Sequence, residues 1–293
     1  MKQHIFTGVC TALVTPFKNG EIDFEAFGKL IERQIDAGID ALCILGTTGE
    51  ASTISYDEKC KIIKFSCAVV KGRVPIVFGI GGNNPPDIIK LGSIVKKLGG
   101  DAVMVTAPYY NKSTQDGAVK YFDTIANAVK LPLIAYNVPG RCGYNLEPET
   151  LARIAQNPYV VGIKEASGNI SQIAEVVRLC PDVAVYSGDD GISLPAYAIG
   201  CQGVISVASN VTPKDVREIW LRYTKTPAAD AAPPLQKGDL WKNRTTAQEL
   251  FLQQLPFYKS LFRQVNPIPV KFELAKLGFI ENELRLPLTP IED

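Results

Sequence analysis

Lys164 is the residue of this sequence best suited to covalent chemistry. It stands in the apolar run Val160–Glu165, where alternation along a strand puts Gly162 and Lys164 on one face. Ile163 and Glu165 lie on the other face, so Glu165 is not assigned as a base. If Ile163 packs against helices, Lys164 points inward, and burial without a partner lowers the pKa of its amine. A neutral amine attacks carbonyl carbons, so the run predicts a Schiff-base lysine, with a salt-bridged lysine as the alternative.

A second set of polar groups is the pair of threonines in Gly46–Glu50. Thr47 and Thr48 lie between glycines, so their hydroxyls and the accessible backbone N–H groups can bind a carboxylate or a phosphate. The alternative is a turn that caps the next helix, with Thr48 or Ser52 as the capping residue.

Tyrosines and an arginine follow two further apolar runs. Tyr109 and Tyr110 come after one run, and Tyr136 and Arg141 come at the end of the next. A tyrosine hydroxyl can relay protons, and an arginine can bind a carboxylate through two parallel hydrogen bonds. Taken singly, each tyrosine could be a packing residue and the arginine a solvated one. Their grouping at the ends of two predicted strands favours a site that binds a carboxylate substrate and transfers protons.

Metal and thiol chemistry are not expected. Asp189 and Asp190 could bind a metal, but with His4 as the only histidine, capping of the next helix is favoured. The lone histidine also argues against a Ser-His-Asp triad. The seven cysteines include no C-x-x-C pair, which argues against zinc and against a disulfide framework. No metal or organic cofactor is predicted.

Eight short apolar runs must position these residues, and each is followed by an amphipathic stretch. The runs begin roughly 20 to 30 residues apart, the length of a βα unit, and continuous apolar strands are typical of a parallel sheet covered by helices. The sequence therefore predicts an α/β fold, a (β/α)8 TIM barrel with its site at the C-terminal strand ends. An open doubly wound sheet is the alternative, although no G-x-G-x-x-G follows the first strand. The predicted strands are Val9–Val14, Ala41–Leu45, Val74–Ile80, Ala102–Ala107, Leu133–Tyr136, Val160–Lys164, Val183–Ser187 and Gly203–Val207.

The chain is expected to divide into a catalytic barrel, 1–224, and a C-terminal helical extension, 225–293. The roughly 50 residues from Thr245 onward rarely carry a core of their own, so the extension should pack on the barrel. Thr245–Val265 and Val270–Leu277 are its predicted helices. The segment 226–238, rich in proline and alanine, is predicted to be a surface loop.

Composition narrows the classes of partner. The 293 residues are 46% hydrophobic and 21% charged, with a net charge of +1, so a large core is expected. No basic stretch points to nucleic acid, and no apolar run approaches the roughly 18 residues that span a membrane. The first six residues are too short and polar for a signal peptide. A cytoplasmic enzyme acting on a small molecule is expected.

The motifs Gly46–Glu50, Tyr136–Arg141 and Gly162–Glu165 occur in order at the predicted strand ends. With them the chain resembles, along nearly its whole length, the dihydrodipicolinate synthase and N-acetylneuraminate lyase superfamily. The resemblance is closest to the synthase branch. It implies a Schiff-base lyase that condenses pyruvate with L-aspartate 4-semialdehyde in the diaminopimelate route to lysine. The alternatives are a pyruvate-dependent aldolase such as N-acetylneuraminate lyase or a 2-keto-3-deoxy sugar acid aldolase, a silent keto-acid-binding scaffold, and a phosphate-binding barrel.

The resemblance also implies roles for single residues. Lys164 would form the pyruvyl Schiff base, and Tyr136 would donate and accept protons. Thr47 would link Tyr136 to Tyr110, which reaches across a subunit interface in this family. Thr48 would bind the carboxylate of pyruvate.

The second substrate would have its own binding residue. By the same resemblance, Arg141 would bind the carboxylate of the semialdehyde, which distinguishes the synthases from sugar-acid relatives. Gly188 and Ile205 would line the pocket, and Tyr109 would pack at a dimer interface. The implied assembly is a homotetramer built as a dimer of dimers, although some relatives are dimers.

Two departures from the family's pattern stand out. Gly140 and Cys142 flank Arg141 where the family often has serine and threonine. Lys59 stands in the region that matches the family's lysine-inhibition site, where lysine-sensitive members often carry histidine or glutamate. A cation there should repel the ammonium group of bound lysine, so weak or absent feedback inhibition is expected. The matching region holds Ala51, Ser52, Ile54, Tyr56, Lys59, Asn83, Asp87 and Tyr109.

Overall fold

The structure, a computed structural model that describes residues 2–225 and 246–291, contains the predicted barrel. Eight parallel strands close in sequence order, with the last paired to the first, so the open-sheet alternative is wrong. The observed strands differ slightly from the predicted ones at their ends; the third begins at Ile76 rather than Val74. They are β1 (Gly8–Ala12), β2 (Ala41–Ile44), β3 (Ile76–Gly79), β4 (Ala102–Thr106), β5 (Leu133–Asn137), β6 (Val160–Glu165), β7 (Ala184–Ser187) and β8 (Gly203–Ser206).

The strands are buried on both faces, which explains why their sequences are apolar almost throughout. Every residue of the eight strands is buried except Thr106, which is half-buried at the end of β4. Inward side chains fill the barrel, and outward side chains meet the surrounding helices. A charged side chain on the inner face, such as that of Lys164, is therefore an exception that calls for a chemical explanation.

Helix α1 (Phe24–Asp36) shows how local sequence sets the covering helices. The side chain of Asp23 caps its first turn by accepting a hydrogen bond from the backbone N–H of Ala26. Gly38 follows its last turn with a φ of +78°, a backbone conformation that glycine adopts without strain. The remaining barrel helices are α2 (Tyr56–Val70), α3 (Pro85–Lys97), α4 (Gln115–Val129), α5 (Pro139–Cys142), α6 (Pro148–Ile154), α7 (Ile170–Leu179), α8 (Ser193–Ala198) and α9 (Pro213–Lys225).

Two helices of the C-terminal extension pack on the barrel, as predicted. Helix α10 (Ala247–Ser260) lies against α9, and its first turn is capped by Thr246. Helix α11 (Ile268–Lys276) carries Lys271, whose Nζ lies 2.7 Å from a carboxylate oxygen of Glu50 in the barrel. Helix α10 ends five residues before the predicted Val265, whereas α11 begins two residues before the predicted Val270.

Two of the sequence predictions concern the junction of these parts. The segment 226–238, predicted to be a loop, lies outside the described residues. The division into 1–224 and 225–293 stays a prediction. Within the described part of the chain, no helix is long and apolar enough to cross a membrane.

Candidate active site

A cavity of about 540 Å³ opens at the C-terminal ends of the barrel strands. Barrel loops and the extension both contribute to its wall, so the extension covers part of the C-terminal end of the barrel. Six of the residues predicted for the site line this cavity. They are Thr47, Thr48, Tyr136, Arg141, Lys164 and Gly188.

Lys164 points into the barrel from β6. The residue is buried, with only 5% of its surface exposed to solvent, and its Nζ lies 4.3 Å from the centroid of the Tyr136 ring. Across residues 2–225 and 246–291, no ion pair includes Lys164, so the salt-bridged alternative has no support. Glu165 faces the other way, accepting hydrogen bonds from the side chain of Asn137 and the backbone N–H of Ser167. The alternation predicted for this strand is therefore confirmed.

Gly188, which follows β7, leaves room for the lysine. A Cβ atom at this position would lie 3.0 Å from Cε of Lys164 and 2.5 Å from Cβ of Ala166. Both distances are shorter than ordinary carbon–carbon contacts. The glycine therefore allows the lysine side chain to pass close to the backbone.

The threonine turn after β2 is joined to the C-terminal extension by an ion pair. Its last residue, Glu50, has a φ of +54°, and its carboxylate is paired with the buried ammonium of Lys271. Ser55 caps α2, so the alternative in which Thr48 or Ser52 is the capping residue is wrong. Neither threonine caps a helix, and Thr47 and Thr48 both line the cavity.

Asn266, which sequence reasoning missed, connects Thr48 to Arg141. Its side-chain Nδ2 donates a hydrogen bond to Oγ1 of Thr48 at 2.9 Å, and its backbone carbonyl accepts one from Nη2 of Arg141 at 2.8 Å. The interruption of the helical pattern at Asn266, Pro267 and Pro269 was the available signal, because it places a polar residue in a turn between two helices. Arg141 is thus held at the cavity rather than freely solvated.

Two predicted site residues lie apart from the cavity. Tyr110 is 91% exposed with a φ of +63°, and it does not line the cavity within this single chain. Ile205 is fully buried in β8, and Val207, two residues on, forms the wall instead. Tyr109 is 37% exposed, and its backbone N–H donates to the side chain of Asn83.

The acidic residues after β7 have structural partners. Asp189 caps a short 3₁₀ turn by accepting from the N–H of Gly191, which confirms its capping role. Asp190 accepts from the N–H groups of Val207 and Ala208, and burial raises the pKa of its carboxyl. Among the residues that the structure describes, no cluster of histidine, cysteine, aspartate and glutamate could hold a metal.

Thiols near the site do not compete with the lysine as nucleophiles. Burial raises the pKa of Cys43, in β2, to about 11, with the charge of Lys164 opposing the shift. Burial likewise raises the pKa of Cys142, beside Arg141, to about 11. Both groups stay protonated near neutral pH, and a thiol is a far weaker nucleophile than a thiolate.

The charge of the cavity favours an anionic substrate. Its basic lining residues are Arg141, Lys164 and Lys259, whereas Asp189 is the acidic one. An inward lysine beside a tyrosine hydroxyl, two threonines and an arginine, at the C-terminal mouth of a barrel, defines a Schiff-base-forming barrel enzyme for carboxylate substrates.

Comparisons with known proteins place the chain more narrowly. It belongs to the dihydrodipicolinate synthetase family, whose model matches residues 5–293. The 4-hydroxy-tetrahydrodipicolinate synthase of Alkaliphilus oremlandii is 46% identical over 290 residues, which cover 99% of this chain and 94% of the relative. These matches confirm the predicted family, the predicted synthase-type activity and the lyase class.

Solved structures of the family share the fold. The dihydrodipicolinate synthase of Thermotoga maritima is 43% identical with a TM-score of 0.90, and the match covers 99% of this chain and 95% of the other. A monomeric dihydrodipicolinate synthase variant is 42% identical, also with a TM-score of 0.90, over 99% and 93% of the two chains. The fold predicted from the strand pattern is thereby confirmed.

Proposed function

We propose that this chain condenses pyruvate with L-aspartate 4-semialdehyde through a Schiff base on Lys164, in the diaminopimelate route to lysine. The observation that carries the proposal is the position of the lysine amine. It is buried in the cavity beside Tyr136, and among the described residues it has no carboxylate within salt-bridge distance. A lysine so placed is available to attack a ketone.

The chemistry follows from that nucleophile. The amine of Lys164 attacks the keto carbon of pyruvate, and loss of water gives an iminium ion that withdraws electrons from the neighbouring methyl group. Loss of a methyl proton gives an enamine, whose carbon attacks the aldehyde of the second substrate. The amino group of that substrate then attacks the iminium carbon, which closes the ring and releases Lys164. The overall reaction joins the two substrates and releases one water molecule.

The other cavity residues have roles that match their chemistry. Tyr136 moves protons to and from the reacting atoms, and Thr48 donates a hydrogen bond to the pyruvate carboxylate. Arg141 binds the carboxylate of the semialdehyde. Thr47, which lines the cavity beside them, extends the proton path away from Tyr136.

The proposal includes an assembly. Tyr110 of the partner subunit would complete the proton path through Thr47, in a homotetramer built as a dimer of dimers. The high exposure of Tyr110, which does not line the cavity of its own chain, supports this, because a tyrosine ring left in water gains no burial energy. Gly188 gives the lysine its space, and Ile205 supports the cavity wall from the core.

The proposed cellular location of the enzyme is the cytoplasm. All seven cysteines are free thiols. Free thiols are usual in proteins of reducing compartments. The pathway intermediates that the enzyme uses are also small water-soluble acids.

Borohydride trapping tests the proposal. Incubation with pyruvate and sodium borohydride should add a reduced pyruvyl group to Lys164, detected by mass spectrometry of the peptide, and Lys164→Ala should remove it. Absence of an adduct on the wild-type protein would refute the Schiff-base mechanism and leave the binding-scaffold alternative.

A second measurement distinguishes the synthase from other pyruvate-dependent aldolases. Condensation with aspartate semialdehyde should be compared with cleavage of N-acetylneuraminate and of 2-keto-3-deoxygluconate by the same preparation. Faster turnover of either sugar acid would overturn the assignment of the second substrate.

A further inference from the structure

Asn266 contacts both of the residues to which the proposed function gives a substrate carboxylate. The residue is 6% exposed in the turn between α10 and α11. Its side chain donates to Thr48 after β2, and its backbone carbonyl accepts from Arg141 after β5. One residue of the extension therefore joins two separate loops of the barrel, through two different chemical groups.

The direction of the first hydrogen bond decides what Thr48 can do. A hydroxyl group has one hydrogen to donate and two lone pairs that accept. Because Oγ1 of Thr48 accepts from Nδ2 of Asn266, its single hydrogen stays available for another acceptor. The carboxylate of a keto acid in the cavity is such an acceptor.

A second feature of the amide also points to the cavity. Oδ1 of Asn266 is buried and has no hydrogen-bond partner within residues 2–225 and 246–291. Buried amides with a purely structural use normally satisfy both ends. Asn266 lines the cavity, so its amide belongs to the surface that a substrate meets.

We propose that Asn266 is a positioning residue whose side chain keeps the hydroxyl of Thr48 directed as a donor to the keto-acid carboxylate. The inference rests on the proposed function, because it needs pyruvate as the first substrate. It assigns the side chain of Asn266 to pyruvate affinity alone. The backbone carbonyl of Asn266 serves the other substrate by holding Arg141.

Because the side chain and the backbone carbonyl of Asn266 serve different substrates, a substitution at this position should change one Michaelis constant and not the other. A substitution at Asn266 removes the side-chain contact with Thr48 but keeps the carbonyl that Arg141 binds. The KM for pyruvate should therefore rise, whereas the KM for the semialdehyde stays within about twofold. Two variants, Asn266→Asp and Asn266→Ala, test this, because they should raise the pyruvate KM by different amounts.

Asn266→Asp keeps the size of the side chain but reverses the hydrogen bond. An ionised aspartate can only accept, so Thr48 must donate to it, and its charge also repels the pyruvate carboxylate. The pyruvate KM should rise by roughly tenfold or more, since a hydrogen bond to a charged group is lost. Asn266→Ala frees the hydroxyl without reversing it, so its effect should be smaller.

A merely structural role would make both Michaelis constants change together. The alanine variant leaves a cavity and the aspartate variant buries a charge, and either defect would disturb Thr48 and Arg141 alike. Such a joint change would overturn the proposal. Melting temperatures of both variants show whether folding contributes.

Thr48→Val supplies a test that is independent of the aspartate variant. If Asn266 acts through Thr48, then Asn266→Ala should change the pyruvate KM of the Thr48→Val protein by less than twofold, because the hydroxyl it positions is gone. Additive effects would contradict the inference.

The trapping experiment separates this failure from failure of the proposed function. Borohydride trapping at subsaturating pyruvate should label wild-type Lys164 faster than it labels Lys164 in Asn266→Asp. A labelled wild type with equally fast labelling of the variant refutes the role of Asn266 only. An unlabelled wild type refutes the proposed function itself.

Discussion

Tyr136 and Lys164 are register partners on the neighbouring parallel strands β5 and β6. Their side chains turn to the same inner face of the barrel, where Nζ of Lys164 lies 4.3 Å from the centroid of the Tyr136 ring. Strand pairing therefore sets the position of the lysine amine relative to the Tyr136 ring. The ring and the hydroxyl of Tyr136 have different uses, and substitution can separate them.

Tyr136→Phe should keep the ring against Lys164 and remove the hydroxyl. We expect borohydride trapping of pyruvate on Lys164 to remain detectable, while kcat falls by about 10²- to 10⁴-fold, the usual contribution of a general acid–base group. Trapping by mass spectrometry and turnover with both substrates measure the two effects separately. Unchanged turnover would remove Tyr136 from the proposed proton path.

Gly188→Ala should reduce activity more than stability. The added Cβ would press on Cε of Lys164 and on Ala166, and displacement of a reacting group by about 1 Å can cost about a hundredfold in rate. Gly140→Ala is the matched control, because a Cβ there has nothing within 4 Å. Turnover and melting temperature are measured for both variants. Equal activities of the two would contradict the close-packing argument.

The residues that sequence could locate are those whose positions follow from local rules. Alternation along β6 orients Lys164, and the βα period places Thr47, Tyr136 and Arg141 at one end of the barrel. Asn266 could not be found this way, because its contact with Thr48 joins residues 218 positions apart in the chain. That contact depends on how the extension docks, which no periodic pattern encodes.

Tyr110 marks a second limit of sequence reasoning. Its exposure in the single chain gives it no site of its own, and the role implied by resemblance depends on another copy of the protein. Ile205 marks a third limit. Gly203 is the register partner of Tyr186, which is in turn the partner of Lys164. Ile205, two residues after Gly203, therefore shares the inner face of the barrel, but it is fully buried and does not line the cavity. Alternation along a strand gives the face of a side chain and not its depth along the barrel axis.

The buried pair of Lys271 and Glu50 should matter for stability because it ties the extension to the threonine turn. Both side chains are at most 1% exposed, and Nζ also donates to the backbone carbonyl of Thr15. Lys271→Met would leave the Glu50 carboxylate buried without its cation, which typically costs about 3–5 kcal/mol. We expect urea unfolding to show this loss, and Glu50→Gln to restore part of it in the double variant.

The exposed pair of Lys29 and Glu25 provides the control for that experiment. Their side chains are mostly in water, so Lys29→Met should leave the free energy of unfolding nearly unchanged. A loss no larger in Lys271→Met than in Lys29→Met would show that the extension is not anchored by the buried pair.

Glu58 should contribute to the pH dependence of stability. Hydrogen bonds from the guanidinium of Arg285 lower the pKa of Glu58 from 4.5 to about 2, with a smaller contribution from the N–H of Ser55. The folded pKa lies below the unfolded one, so the unfolded state binds the proton more readily. The stabilisation is therefore complete above the unfolded pKa and is lost as the pH falls towards 2.

Unfolding measured in urea between about pH 5 and pH 2.5 checks this linkage. Glu58→Gln should be less stable than wild type at pH 5, and the difference should shrink as the pH falls. Glu25→Gln, at an exposed position on α1, controls for the removal of one carboxyl. A difference that stays constant with pH would show that Glu58 contributes by packing and not by charge.

The cavity beside the active site should bind free lysine poorly. It has a volume of about 820 Å³, and Lys59 and Lys90 line it together with the acidic Asp87. The ammonium groups of these lysines should repel the two ammonium groups of a lysine ligand. We therefore expect turnover to be nearly unaffected by millimolar lysine, in keeping with the departure at Lys59 from the lysine-sensitive pattern.

Lys59→Glu turns this expectation into a gain of function. The substitution replaces a repelling cation with a carboxylate that can pair with the ammonium groups of lysine, so inhibition by millimolar lysine should appear. Lys61→Glu makes the same charge change at an exposed position of α2 that does not line the cavity, and it should stay insensitive. Initial rates at fixed pyruvate and semialdehyde, with lysine varied, compare the three proteins. Strong inhibition of the wild type would contradict the argument from repulsion at Lys59.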